Sequence, residues 1–255
     1  MEEGRKTAVI TGGGNGIGRE TALLFLAEGF NVVIAGRREN TLRETLRLAG
    51  STAERGLAVE TDITKPAAVK RLFAAATDRF SRVDFLFNNA GLAGTEASGT
   101  PLLEISYENW RRVIDTNVTG TFLCAQEAVR IMIGQNPQGG RIVNNGSVAA
   151  QSPRAHSAPY AASKSAISGL TKSISLDFRR YNIACGQIDI GNAATEQASR
   201  HAKGALQGDG EVRAEALMSV KDVARALLFM ARLPLEANVQ HMTILATQMP
   251  FVGRG

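Results

Sequence analysis

The pentapeptide "YAASK", Tyr160 to Lys164, sets a phenol and an ammonium four residues apart with only small residues between them. On a helix, positions i and i+4 share one face, so the two polar heads can approach each other without help from the rest of the fold. A tyrosine can give a proton to a developing alkoxide or take one from an alcohol. Its ordinary pKa of about 10 makes it a poor base near neutrality, so positive charge nearby must lower that value, and Lys164 one turn on supplies it. A plainer reading competes: Tyr and Lys are common on helix surfaces, and Tyr160 follows Pro159, a helix-start signal.

A second stretch, "TGGGNGIG" from Thr11 to Gly18, ends the first apolar run and opens an amphipathic one. Glycines allow the backbone to turn sharply and approach a pyrophosphate, and the following helix offers its N-terminal N–H groups and positive dipole end. A flexible loop without a ligand is the alternative. The strand, turn, helix and second strand in the usual order favour a dinucleotide. The second strand ends in Ala35, Gly36, Arg37 and Arg38. An acidic residue there would bond both ribose hydroxyls, whereas arginines can accept a 2'-phosphate. Arg37 and Arg38 therefore point to NADP, with NAD possible, unless they merely open a solvated helix.

The elements that must position these residues alternate along the chain. Seven short, β-rich runs read as buried strands: 7–11, 31–36, 56–61, 83–88, 141–147, 182–190 and 238–247. Between them lie segments of helical spacing, several ending in Gly or a basic pair. Such repetition implies parallel strands with right-handed crossovers, an α/β doubly wound seven-stranded sheet with helices on both faces. The 255 residues, 44% of them hydrophobic, are enough for one domain spanning 1–255 and too few for two substantial ones. The polar segment near 192–215 has weak periodicity and reads as a mobile lid over the substrate.

Composition excludes several classes. The net charge is +5, but the basic residues are scattered in twos, with no basic run interleaved with aromatics, so no nucleic-acid partner is expected. No apolar stretch is long enough for a membrane span or signal peptide, which points to a soluble, cytoplasmic protein. Cys124 and Cys185 read as buried free thiols. The three histidines fall in separate segments, so no metal is expected.

From about Arg5 to Thr247 the chain resembles the short-chain dehydrogenase/reductase family. The motifs stand in family order: "TGGGNGIG", Asp62-Ile63, "NNAG" at Asn88 to Gly91, Asn117, Ser147 and "YAASK". The resemblance implies a Rossmann fold and a cofactor site made by Gly12, Asn15, Gly16, Ile17, Gly18, Arg37, Arg38, Asp62, Ile63, Asn89, Ala90, Gly91, Ala193 and Thr195, joined by Tyr160 and Lys164. Asp62 and Ile63 would border the adenine. Asn117, Ser147, Tyr160 and Lys164 would form a catalytic tetrad interconverting a carbonyl and a secondary alcohol. In it Ser147 bonds the substrate oxygen, Lys164 also holds the nicotinamide ribose, and Asn117 holds a water for proton relay. The resemblance further implies a homotetramer or homodimer and a small-molecule substrate. Two rivals remain: a 3-oxoacyl-thioester reductase, and a dinucleotide-binding regulatory protein without turnover.

Two departures from the family pattern stand out. Ile190 replaces the usual proline before Gly191, and Asp189 adds an unusual carboxylate beside the expected nicotinamide loop, where backbone near Asn192 and Ala193 should meet the ring. The C-terminal "MTILATQMPFVGRG" lacks the usual glycine pair, and its tail from Met249 is expected on a neighbouring subunit. Arg154 and His156 are placed either to face the substrate pocket or to lie in a solvated loop, His201 to lie exposed in the lid, and Trp110 to pack on its helix.

Overall fold

The computed structural model describes residues 4–92, 99–195, 204–207 and 210–252. Its centre is one sheet of seven parallel strands: β1 (Thr7–Thr11), β2 (Asn31–Gly36), β3 (Gly56–Glu60), β4 (Phe85–Asn88), β5 (Gly140–Asn145), β6 (Ile183–Ile190) and, at the edge, β9 (His241–Ile244). The spatial order is β3-β2-β1-β4-β5-β6-β9. β1, β4 and β6 are buried along their full lengths, as strands covered on both faces must be, and this explains their unbroken apolar runs. The short pair β7 (Ala205–Leu206) and β8 (Val212–Arg213) forms a separate antiparallel ribbon inside the segment expected as a lid.

Helices cover both faces. On one side α1 (Gly16–Ala27), α2 (Glu39–Leu48) and α7 (Val220–Arg232) close a core of Phe25, Leu26, Leu42, Val223 and Leu227 over Ile10, Ile34 and Phe87. On the other, α3 (Pro66–Phe80), α5 (Gly120–Gly134) and α6 (Ala158–Phe178) bury Leu72, Phe73, Ala128 and Ile174 over Val9, Val33 and Leu86. Both cysteines lie in this second core, where burial pushes each thiol up to about 12, so they are inert packing groups. Among the described residues no helix is long and apolar enough to cross a membrane.

The helical segment through Asn117 runs continuously as α4 (Tyr107–Ile114) and α5, joined by a wider π turn at Asp115–Thr119, so Asn117 sits at a bulge. Trp110 on α4 is 37% exposed, so part of its ring is left to solvent.

β9 is held in place from a distance. Arg141, 2% exposed at the start of β5, donates Nη2 to the carbonyls of Leu233, Pro234 and Ala237 and Nη1 to Asn238 Oδ1. Burial lowers its pKa, yet an arginine remains charged, and the carbonyls solvate it in place of water. Arg141→Met should orphan these carbonyls and cost roughly 2–3 kcal/mol, about 4–10 °C in the melting temperature of a chain this size. An unchanged melt would show that the loop before β9 does not depend on this guanidinium.

Candidate active site

The chain runs outward from β1 to β3 and then returns to β4, so the strand order reverses between β1 and β4. A ligand crevice belongs at the carboxyl end of such a switch point. A cleft of about 610 Å³ opens there, with Gly12, Asn15, Gly16, Ile17, Asn89 and Ala90 at one end and Ser147, Tyr160 and Lys164 further along.

The glycine turn is built for close approach. A Cβ on Gly18 would lie 2.2 Å from the Gly12 carbonyl oxygen, so only glycine lets the first turn of α1 fold against the loop. Asn15 caps the helix without a side-chain hydrogen bond, leaving the first N–H groups of α1 without a side-chain acceptor. Arg19, unremarked in the sequence, braces the loop by donating Nη2 to Gly14 O at 2.5 Å and Nε to Thr45 Oγ1 at 3.2 Å. Thr195 reaches the same turn, its Cγ2 3.1 Å from where a Gly16 Cβ would stand. Uncapped N–H groups beside a cradle that any side chain would fill fit a phosphate-bearing dinucleotide.

The "NNAG" segment knits the switch point. Asn89 Nδ2 donates to Thr11 O at 2.9 Å and Gly12 O at 3.2 Å, while the N–H groups of Asn89 and Ala90 both donate to Thr11 Oγ1 at 3.0 Å. Asn88 Nδ2 crosses to Asn144 Oδ1 on β5. Gly91 packs against Asn117, whose Oδ1 would lie 3.2 Å from a Cβ at that position.

Other expected cofactor residues divide. Arg38 lines the cleft, whereas Arg37, Asp62 and Ile63 do not. Burial raises the Asp62 carboxyl, but hydrogen bonds from Thr64 and the charges of Arg37 and Lys65 outweigh it and hold the pKa low. Ile63 turns into the core against Gly120. Ala193 and Thr195 line the cleft, though Asn192 O and Ala194 N are both taken by Met218.

Ser147, Tyr160 and Lys164 do converge. Ser147, two residues past β5, accepts from Ala149 N at 3.1 Å and so caps its turn, and its hydroxyl also acts to lower the pKa of the Tyr160 phenol. Lys164 Nζ donates to Asn145 O at 2.7 Å and lies 5.6 Å from the Tyr160 ring centroid. Burial is the largest influence on the phenol and raises its pKa, with the Asp189 charge adding to it. The Ser147 hydroxyl and the Arg154 charge pull the other way without prevailing. Desolvation pulls the Lys164 ammonium down to about 8, opposed by Asp189. The expected lowering of the phenol by its neighbours is therefore not met by these residues alone, because desolvation is stronger.

Asn117 is fully engaged. Its Oδ1 accepts from Leu92 N at 2.8 Å, and its Nδ2 donates to Leu92 O at 3.1 Å and Ser163 Oγ at 2.9 Å. It thereby ties the loop after β4 to α6 on the turn before Lys164.

The substrate end holds more surprises. Arg154 lines the cleft but is paired with Glu215, which also accepts from Asn192 and Gln207. Burial raises the Glu215 carboxyl; these amides and the Arg154 charge overcome that and keep it low. His156 does not face the cleft: it is exposed in a left-handed conformation. Met249 turns into the cleft, its Sδ accepting from Asn192 N at 3.4 Å. His201 lies outside the described residues.

The profile of the short chain dehydrogenase family matches residues 6–205. The chain belongs to the short-chain dehydrogenases. Glucose 1-dehydrogenase 2 of Bacillus subtilis is 36% identical over 192 residues, covering 75% of this chain and 73% of that protein. Among solved structures, the 3-ketoacyl-(acyl-carrier-protein) reductase of Brucella melitensis, complexed with NADH, superposes with a TM-score of 0.83 at 25% identity, covering 96% of this chain and 98% of its own. The actinorhodin polyketide ketoreductase with NADPH gives 0.84 at 26% identity, covering 94% and 96%. The seven-stranded parallel sheet of this short-chain dehydrogenase is the fold they share.

A pH dependence follows from Lys164. Its pKa falls from 10.5 in the unfolded chain to about 8 in the fold, so between these values the unfolded state holds more protons and stability gains with rising pH. The unfolding free energy of the protein minus that of Lys164→Met should rise by roughly 3 kcal/mol over this window. Parallel curves in denaturant titrations would show that the ammonium is not desolvated.

Proposed function

We propose that the protein is an NADP(H)-dependent oxidoreductase that interconverts a carbonyl and a secondary alcohol by hydride transfer, with Tyr160 as general acid and base. The observation that carries this reading is the meeting of Ser147, Tyr160 and Lys164 on the wall of a cleft whose other end is the glycine turn. The dinucleotide, when bound, supplies or accepts the hydride. Ser147, on the same cleft wall as the phenol, shares the substrate oxygen with it and stabilises charge as it develops. Tyr160 gives the proton in reduction and takes it in oxidation. Its raised pKa keeps the phenol protonated near neutrality, the form that reduction requires. Lys164 holds positive charge beside the ring and orients the cofactor ribose, and Asn117 fixes the backbone on which Tyr160 and Lys164 stand.

The cofactor would lie over Gly12 to Gly18, Asn89, Ala90 and Gly91, with its adenosine phosphate at the second strand's end. The absence of a carboxylate at Gly36 to Arg38 supports NADP, and of the two arginines Arg38 is the one on the cleft. The segment near 192–215, braced through Glu215, Asn192 and Arg154, is read as the substrate lid of a single domain. The likeness to a 3-ketoacyl-(acyl-carrier-protein) reductase supports a second reading, reduction of a 3-oxoacyl thioester. By family resemblance the protein is cytoplasmic and a homotetramer or homodimer, and a monomer by light scattering would overturn that assembly.

NADPH oxidation across ketones, aldehydes, sugars and 3-oxoacyl thioesters tests the reading, with NADH in parallel. Tyr160→Phe should lower kcat by about 10²- to 10⁴-fold while the cofactor still binds. Full turnover in the Phe variant would refute the proton-transfer role. Arg38→Ala should weaken NADPH by roughly 10- to 100-fold and leave NADH unaffected; an equal loss for both would remove the phosphate contact.

A further inference from the structure

Asp189 is a buried charge that the motifs do not account for. It stands at the carboxyl end of β6 and is 0% exposed. Its Oδ1 accepts from Gln187 Nε2 at 2.6 Å, and Gln187 also reaches Ser168 Oγ on α6 at 3.0 Å. Its Oδ2 accepts from Gln151 Nε2 at 3.1 Å, at the end of the turn that Ser147 caps, and lies 2.8 Å from Nε2 of His241 on β9. One carboxylate thus joins β6, β9, α6 and the turn carrying Ser147.

Its place relative to the reacting groups is fixed by Gly146. A Cβ on that glycine would lie 1.9 Å from Asp189 Oδ1, so the carboxylate presses directly beneath the backbone between Asn145 and Ser147. Asn145 O is the acceptor of Lys164 Nζ, and the Ser147 hydroxyl lowers the pKa of the Tyr160 phenol. The charged and titratable groups that interact with Asp189 are His241 from β9 and Tyr160 and Lys164 from α6. His241 is 44% exposed at its side chain, so it partners the carboxylate from the solvent side and leaves the field toward α6.

We propose that Asp189 is a positioning residue for the proposed carbonyl reduction: its buried carboxylate holds Lys164 in the ammonium form and anchors the turn that carries Ser147. The proposal rests on the reading of Ser147, Tyr160 and Lys164 given above. An anion in a poorly solvated site favours the charged form of a nearby lysine and disfavours ionisation of a nearby phenol. Both effects have the same consequence for reduction, because they keep the phenol protonated and the cation beside it to higher pH. Each of the two groups then loses its proton later than it would without the carboxylate.

The test is Asp189→Asn, near-isosteric and able to keep the accepted bond from Gln187 while donating to a flipped Gln151 amide, with folding checked by thermal melt. The Nζ resonances of ¹⁵N-lysine-labelled full-length protein, assigned with Lys164→Arg, report the Lys164 titration without any turnover. The variant should move that titration downward by about one pH unit. In NADPH-dependent reduction, the alkaline loss of kcat should move down by the same amount; a merely structural role would lower kcat at all pH values without moving the limb. His241→Lys, at the half-exposed end, sets a permanent cation on the carboxylate and should shift Lys164 in the same direction by less, which decides the matter if Asp189→Asn does not fold. A Lys164 titration unmoved in every variant that folds overturns the proposal. Absence of turnover across all carbonyls in the unsubstituted protein would instead overturn the proposed function, with the lysine titration still read independently.

Discussion

The arrangement depends on the parting of β1 and β4. Two adjacent parallel strands whose connections leave in opposite directions must open a crevice at their carboxyl ends, and backbone groups there lose their neighbours. Thr11 and Asn89 supply what is lost. The threonine hydroxyl takes two N–H groups from the far strand, and the asparagine amide answers two carbonyls of the near one. With the crevice held at this width, the glycine turn can rest on one lip and the turn after β5 can present Ser147 on the other.

Chemistry at the second lip is set by dehydration. Tyr160 and Lys164 would each be unremarkable on a wet helix surface. Here burial pushes the phenol up and the ammonium down, so each group is drawn toward its neutral form and depends on specific partners to resist. Asn145 O, Ser147 and the fixed charges of Asp189 and Arg154 are those partners. Asn117, at the π turn between α4 and α5, keeps α6 in register with the loop after β4, so the tyrosine and lysine meet the serine rather than merely share a helix face.

Local pattern reveals what neighbours in sequence build. The seven strands, the glycine turn and "YAASK" were legible because a strand, a tight turn and a helical i, i+4 pair each carry their own period or composition. Ser147 was found by resemblance, and its task as a turn cap shows in the fold. What pattern does not hold is the identity of distant partners. Arg154 meets Glu215, Asp189 meets His241, Met249 returns to Asn192, and Arg141 holds the loop before β9. Each pair is brought together by sheet order rather than by spacing. The same limit explains Trp110 and His156: periodicity assigned them a helix and a loop, but how deeply each is covered depends on elements remote in the chain. The sign of the Tyr160 shift was missed for a related reason, since charge is visible in a sequence and depth of burial is not.

The central claim is that the cleft holds a nicotinamide dinucleotide across the glycine turn, with the proton-transfer groups beyond it. Calorimetric titration of NADPH into the protein and into Gly18→Ala tests it most directly. The account predicts one equivalent bound per chain, and loss of binding when a methyl group is driven into the Gly12 carbonyl while the fold persists by circular dichroism. Equal binding by both proteins, or none by the unsubstituted one, would contradict it.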